Sequence, residues 1–227
     1  MPKPLLSRTL GKDDLFIVPT LDGSNTLYSR DFASTYHSVN GAISESRHVF
    51  IQHGLHTQLH LSEIYVLEVG FGTGLNAFLA FLFSEKHKKP VHYIGLESFP
   101  IDTGLILHLN YPSYLVAEKK TEVFIKMHEE ESFTEPYFQF KKYASWEMIE
   151  SGHLFDCIFF DAFSPADQPE WWEQDIFDQL YAVSSEGGCL VTYSAQGEVR
   201  RRIEKTGYKV RRLSGGPGKR QMIQAIK

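Results

Sequence analysis

The stretch Ile64-Tyr65-Val66-Leu67-Glu68-Val69-Gly70-Phe71-Gly72-Thr73-Gly74-Leu75-Asn76 joins two kinds of pattern. Ile64 to Val69 is a nearly unbroken apolar run, as a strand covered on both faces requires. Glycines follow at every second position, and Leu75 to Phe83 then reads as a helix. Strand, glycine turn and helix in that order open a parallel α/β unit, because a parallel return needs a long crossover.

The alternation continues outward. Strand-like runs recur at Val91 to Leu96, Tyr137 to Phe140, Phe155 to Phe160 and Gly188 to Tyr193, with helical signals at Trp172 to Ala182 and Gly197 to Lys205. Tyr208 to Leu213 and Gln221 to Ile226 are separated only by Ser214-Gly215-Gly216-Pro217-Gly218, a turn that can join antiparallel strands but not parallel ones. The expected fold is therefore a Rossmann-like α/β sheet over residues 61–227, mostly parallel and ending in an antiparallel hairpin. Residues 1–60 form an amino-terminal extension. In it, Leu15 to Val18 and Thr26 to Ser29 flank the turn Asp22-Gly23-Ser24-Asn25, and Ser44 precedes Glu45 as the cap of a helix.

A chain of 227 residues suits one domain. It has no apolar run long enough to span a bilayer, and its start lacks a signal-peptide core, so a cytoplasmic location and no membrane partner are expected. Cys157 and Cys189 lie in strand-like runs and read as small hydrophobes. His53, His56 and His60 have helical spacing but no companion acids or thiols, so no metal is expected. Oligomeric state is not legible. The net charge of -5 is uneven: Arg200 to Lys227 holds ten basic residues against Glu204, whereas the remainder holds 13 basic and 27 acidic ones. A basic end on an acidic protein is either a solvated surface or the footprint of a polyanion.

Glycines between the first parallel strand and its helix allow a tight turn and close approach by a ligand. With Glu68 before it, the G-x-G-x-G spacing resembles the methionine-binding loop of S-adenosylmethionine enzymes more than the dinucleotide G-x-G-x-x-G. Glu68 can meet an ammonium, directly or through water. Glu97, at the end of the second strand beside Ser98, can accept hydrogen bonds from two ribose hydroxyls. Asp161-Ala162-Phe163-Ser164-Pro165 follows the fourth strand, at the carboxyl edge where open sheets bind ligands. There an acid can hold an amine while an aromatic ring offers a stacking face.

Further spaced features are Ser29-Arg30-Asp31-Phe32 with Tyr36, Gly41, Glu45, Arg47 and Phe50; Pro169 and Trp172; Tyr193-Ser194-Ala195; Val199-Arg200-Arg201; and Gly216-Pro217-Gly218-Lys219-Arg220-Gln221-Met222. Together with the glycine loop and the Asp161 segment, they resemble the methyltransferase domain of the bacterial bifunctional MnmC family and its stand-alone MnmD relatives. That family completes 5-methylaminomethyl-2-thiouridine at the tRNA wobble position. Two positions depart from it. Ala144 stands where the family tends to have an Asp near adenine, and Gln221 replaces its usual acid.

The resemblance implies S-adenosyl-L-methionine as cofactor, held by Glu68, Gly70, Phe71, Gly72, Thr73, Gly74, Asn76, Glu97, Ser98 and Asp161. It implies tRNA as partner and N-methylation of 5-aminomethyl-2-thiouridine as reaction. Asp161 is the catalytic candidate. Tyr36, Phe163, Pro165, Tyr193 and Ser194 would bound the base, and Arg200, Arg201, Lys219 and Arg220 would contact phosphates. With no room for the family's flavin-dependent oxidoreductase, the aminomethyl uridine would arrive ready-made. An alkylamine resembling that of lysine, with pKa about 10.4, is neutral only about once in a few thousand molecules at pH 7. Asp161 is a weak base for it and is expected first to orient it. The rival readings are a methyltransferase of small amines or hydroxyl compounds, a nicotinamide-dependent oxidoreductase, and a non-catalytic RNA-binding module.

Overall fold

The computed structural model describes residues 14–149 and 152–227. Its elements are β1 (Leu15–Pro19), β2 (Asn25–Ser29), β3 (Ser34–Thr35), α1 (Ala42–Ser46), β4 (Ile64–Val69), α2 (Leu75–His87), β5 (Val91–Leu96), α3 (Thr103–Ile106), α4 (Tyr111–Tyr114), α5 (Thr121–Glu129), β6 (Ser132–Glu135), β7 (Phe138–Tyr143), β8 (Phe155–Phe160), α6 (Gln174–Ala182), β9 (Ser184–Thr192), α7 (Gly197–Thr206), β10 (Lys209–Ser214) and β11 (Gln221–Ile226).

The main sheet has eight strands in the order β10-β11-β9-β8-β4-β5-β7-β6. The pairings β9-β8, β8-β4, β4-β5 and β5-β7 are parallel, and β11 runs antiparallel between β9 and β10. This is the parallel sheet with its closing hairpin that the sequence implies. β4 is central because its side chains serve both faces. Ile64 and Val66 enter the core beneath α2 and α5, while Leu67 and Val69 enter the core beneath α6 and α7. Alternation along a strand dictates this partition, and Glu68 consequently shares a face with Val66.

Two elements differ from the sequence expectation. β6 pairs antiparallel with β7 and makes a second hairpin at the far edge of the sheet. Its Ser132-Phe133-Thr134-Glu135 is short and half solvated, so it lacks the apolar run that marks the buried strands. Ser44 is not the cap of α1; the helix starts at Ala42 after Gly41. Asp22, in the β1-β2 turn, reaches over instead, and its Oδ2 accepts the Ser44 N–H at 2.9 Å. That long-range cap ties the hairpin to the helix, which continues as a wider π-helical turn over Arg47–Gln52.

Leu15 and Leu27 of the hairpin, and Ala42, Ile43, Val49 and Phe50 beyond it, belong to the same buried cluster as α2. Among the described residues no helix is long and apolar enough to cross a membrane. Cys157 and Cys189 are buried free thiols on neighbouring strands, with sulfur atoms 3.5 Å apart. The histidines with helical spacing do not converge, since His53 packs against His48 and His56 against His87.

Candidate active site

A cavity of about 300 Å³ opens at the carboxyl edge of β4, β5 and β8. Gly70, Gly72, Glu97 and Ser98 line it together with Asp161, Phe163, Tyr36, Glu45, Tyr193 and Lys219. Sequence reasoning reached most of these residues but assigned no role to Phe32, His37, Glu45, Phe99, Gln168 or Trp171, which also line it. Phe32 and Glu45 had a signal, as members of the spaced pattern. A lone His37, or one tryptophan of the Trp171-Trp172 pair, carries none.

The glycine loop is tighter than a ligand-clearance argument alone suggests. Gly70 and Gly72 have φ of 89° and 50°. A Cβ on Gly70 would stand 2.6 Å from the Asp161 carbonyl oxygen, and one on Gly72 would stand 2.9 Å from the Tyr36 ring. These glycines therefore admit the neighbouring loop and the extension as well as any ligand.

Four loop residues face away from the cavity. Phe71 packs on Phe140 and His128, and Gly74 is the residue before α2. Thr73 Oγ1 accepts from Tyr111 at 3.3 Å and pairs with His37 Nε2 at 2.8 Å. Asn76 is buried and donates from Nδ2 both to Glu68 Oε1 at 2.9 Å and to Asp161 Oδ2 at 2.8 Å. Glu68 is fully buried behind the cavity wall and reaches the site through Asn76 rather than directly.

Electrostatics set the chemistry. Burial drives the Glu68 carboxyl well above the usual range. Burial, helped by the charge of Glu45, does the same to Asp161, against the pull of Asn76 and Lys219. Glu97 Oε2 accepts the Gly72 N–H at 2.6 Å and Oε1 the Phe99 N–H at 2.7 Å. Burial nevertheless raises it to about 7, against those bonds and Lys142. His37 is held neutral, lowered to about 3 by burial and by Lys219.

The Asp161 loop is clamped from two sides. Tyr193 Oη donates to the Ala162 carbonyl at 2.9 Å, and Trp172 Nε1 to the Phe163 carbonyl at 2.7 Å. Phe163 stacks on Phe32 with centroids 4.3 Å apart and meets Tyr36 edge-on. Pro165 and Ser194 do not line the cavity; Ser194 is buried beside it.

The basic residues divide. Lys219 pairs with buried Glu45, and its Nζ lies 3.8 Å from the Tyr193 ring centroid. It thus lines the cavity beside Asp161, apart from the outward-facing cations. Arg200 is engaged by Glu204 on α7 at 2.7 Å. Arg201 and Arg220 are exposed, without an ion-pair partner among the described residues. At the position of the missing acid, the Ala144 carbonyl accepts the Ser98 hydroxyl at 3.0 Å.

The donor set fits a cationic nucleoside ligand. A carboxylate braced by two backbone N–H groups faces the cavity, and three acids, Glu45, Glu97 and Asp161, line it with one lysine, Lys219.

A family model described as S-adenosyl-L-methionine-dependent methyltransferase matches residues 140–227. The tRNA 5-methylaminomethyl-2-thiouridine biosynthesis bifunctional protein MnmC of Actinobacillus pleuropneumoniae serotype 5b is 28% identical over 235 residues, covering 90% of this chain and 34% of its own length. The protein of the same name from Leptospira interrogans is 30% identical over 216 residues, covering 87% of this chain and 33% of its own. The chain thus spans about a third of the length of these curated relatives. The crystal structure of MNMC2 from Aquifex aeolicus superposes with a TM-score of 0.75 at 27% identity, over 93% of this chain and 69% of that one.

Proposed function

We propose that this chain, a member of the S-adenosyl-L-methionine-dependent methyltransferase family, methylates the primary amine of 5-aminomethyl-2-thiouridine at the tRNA wobble position. The carrying observation is that Asp161, bridged by Asn76 to Glu68, lines a cavity between the glycine loop and a wall of aromatic side chains. The MnmC and MNMC2 relatives support the choice of substrate. Residues 61–227 would supply the cofactor side, and the extension within residues 1–60 would supply Phe32, Tyr36 and Glu45 to the acceptor side.

When bound, S-adenosyl-L-methionine supplies an electrophilic methyl group on a sulfonium. Glu97 would receive the ribose hydroxyls on its remaining lone pairs, and Gly70 and Gly72 would bring backbone close to the methionine moiety. Glu68 would act through Asn76, fixing the amide that orients Asp161. Asp161 would hold the acceptor nitrogen in line, so that catalysis comes largely from positioning. Its raised affinity for a proton narrows the mismatch with an amine and makes it a better proton acceptor than a solvated aspartate. Phe163, Phe32 and Tyr36 would bound the uracil. Trp171 adds a ring that sequence reasoning missed.

Incubating the protein with labelled S-adenosyl-L-methionine and tRNA bearing 5-aminomethyl-2-thiouridine, then digesting to nucleosides, tests the reading. Label in 5-methylaminomethyl-2-thiouridine is the expected result. Cofactor binding without transfer to this tRNA would overturn the substrate and favour a small-molecule acceptor.

A further inference from the structure

The turn between β10 and β11 is fitted onto the extension. A Cβ on Gly216 would lie 3.4 Å from Glu45 Cα, and one on Gly218 would lie 2.1 Å from Asn40 Nδ2, so bulkier residues would lift the turn away. What the close fit delivers is Lys219. Its ammonium crosses to Glu45 of α1, lies on the Tyr193 ring at the end of β9, and shares the cavity with Asp161 at the end of β8. The Lys219 side chain is 32% exposed and that of Glu45 only 6%, and both line the cavity. Of the other titratable groups that line the cavity, His37 is neutral, burial holds the Tyr36 and Tyr193 hydroxyls in their protonated form, and Glu97 adds to the acids.

We propose that Lys219 is an electrostatic residue of methyl transfer, whose ammonium offsets the acids of the cavity and lowers the proton affinity of the incoming acceptor amine, with Glu45 as the positioning residue that holds Lys219 in place. This rests on an amine being the acceptor. Two ammonium groups in one small, partly desolvated cavity repel, and the acceptor relieves the repulsion by losing its proton while Lys219 stays paired with Glu45. The proton leaves the acceptor nitrogen for Asp161 or water before that nitrogen's lone pair forms the bond to the methyl carbon. Lys219 exchanges no proton in the cycle. A unit charge acting across such a cavity shifts the amine on the order of one pH unit.

The test uses the full chain at saturating S-adenosyl-L-methionine with an anticodon stem-loop bearing 5-aminomethyl-2-thiouridine, and reads the single-turnover rate of methyl transfer against pH. The wild-type rate is expected to rise with pH on an acid limb set by the bound amine. Lys219→Met should move that limb up by about one pH unit and so slow transfer about tenfold below it. Lys219→Arg should restore the wild-type limb, and Glu45→Gln, which removes the opposing charge, should move it the other way. S-adenosylhomocysteine affinity within about twofold of wild type shows that the variants are folded. An unshifted limb in Lys219→Met, or an Arg variant that behaves like the Met variant, would overturn the proposal while wild-type methyl transfer leaves the substrate reading standing. A wild type that transfers no methyl group to the stem-loop would overturn both.

Discussion

The two sides of the cavity are assembled in opposite ways. The cofactor side comes from the ends of adjacent central strands, with Glu68 opposite Gly95 and Val69 opposite Leu96 in the β4-β5 ladder. Its groups are fixed by the same hydrogen bonds and apolar packing that hold the core. The acceptor side joins Phe32, Tyr36 and Glu45 of the extension to Phe163 after β8, Tyr193 after β9 and Lys219 from the last turn. Nothing local fixes these together. They meet through specific contacts, chiefly the Lys219 ion pair, the Phe32–Phe163 stack and the His37–Thr73 hydrogen bond. Damage to the first side should therefore appear as lost cofactor affinity, and damage to the second as altered acceptor chemistry.

Asp161 lies at the seam, and its replacement gives the largest expected effect. Asp161→Asn keeps the shape but removes the charge that orients the amine and the group that can receive its proton. A fall in kcat of at least about 100-fold is expected, with S-adenosylhomocysteine affinity changed by less than about tenfold. Stopped single-turnover assays and calorimetry separate the two. A variant that loses affinity and keeps its rate would move Asp161 wholly to the cofactor side.

Glu97→Gln should do the reverse. Losing the charge-assisted acceptor of two hydroxyls is expected to weaken S-adenosylhomocysteine by roughly 10- to 100-fold and to leave kcat at saturating cofactor within about threefold. The pH dependence carries a sign. Glu97 titrates at about 7 in the free protein, and its ionised form is the better acceptor. Wild-type affinity should thus rise from pH 6 to pH 8, and the Gln variant should lose that slope. A flat wild-type profile would remove Glu97 from the ribose.

The same contrast explains what could be read from the sequence. Strands β4, β5 and β8, the glycine loop and the terminal hairpin were legible because apolar runs and glycine spacing are local. So were the places of Glu97 and Asp161 in the cavity lining, which follow from standing at strand ends. Whether a residue of the loop faces the cavity or the core was not, since Phe71 and Thr73 point inward only because His128, Phe140, Tyr111 and His37 receive them. The inward turn of Lys219 was equally hidden. In sequence it is one of ten cations, and only the fold shows Glu45 beside it. The edge strand β6 escaped because an exposed, polar strand has no buried face to impose a pattern.

A smaller effect tests the seam itself. His37 comes from the acceptor side, and its Nε2 meets Thr73 Oγ1, on the cofactor loop, at 2.8 Å. Tyr111 donates to the same oxygen, and the Thr73–His37 bond can form with either tautomer of the ring, so burial rather than the bond keeps His37 neutral. Burial, with Lys219 adding to it, lowers His37 to about 3 from its ordinary 6.5. A depressed histidine contributes stability that is present above pH 6.5 and is lost as pH falls from there toward 3, because the unfolded chain takes the proton first. The contribution falls by about 1.4 kcal/mol per pH unit across that window. His128 beneath the loop is also lowered to about 3, by burial and by Lys142, and provides an internal comparison confined to the cofactor side. Urea unfolding between pH 6 and 4.5 should therefore show a slope shallower by about 1.4 kcal/mol per pH unit in His37→Gln than in wild type. The change should be the same in His128→Gln, but only the His37 variant should also lose acceptor affinity at pH 7. If both variants kept acceptor affinity, the hydrogen bond would be a stabilising contact of the core, and the union of the two sides would rest on Lys219 and the aromatic stack alone.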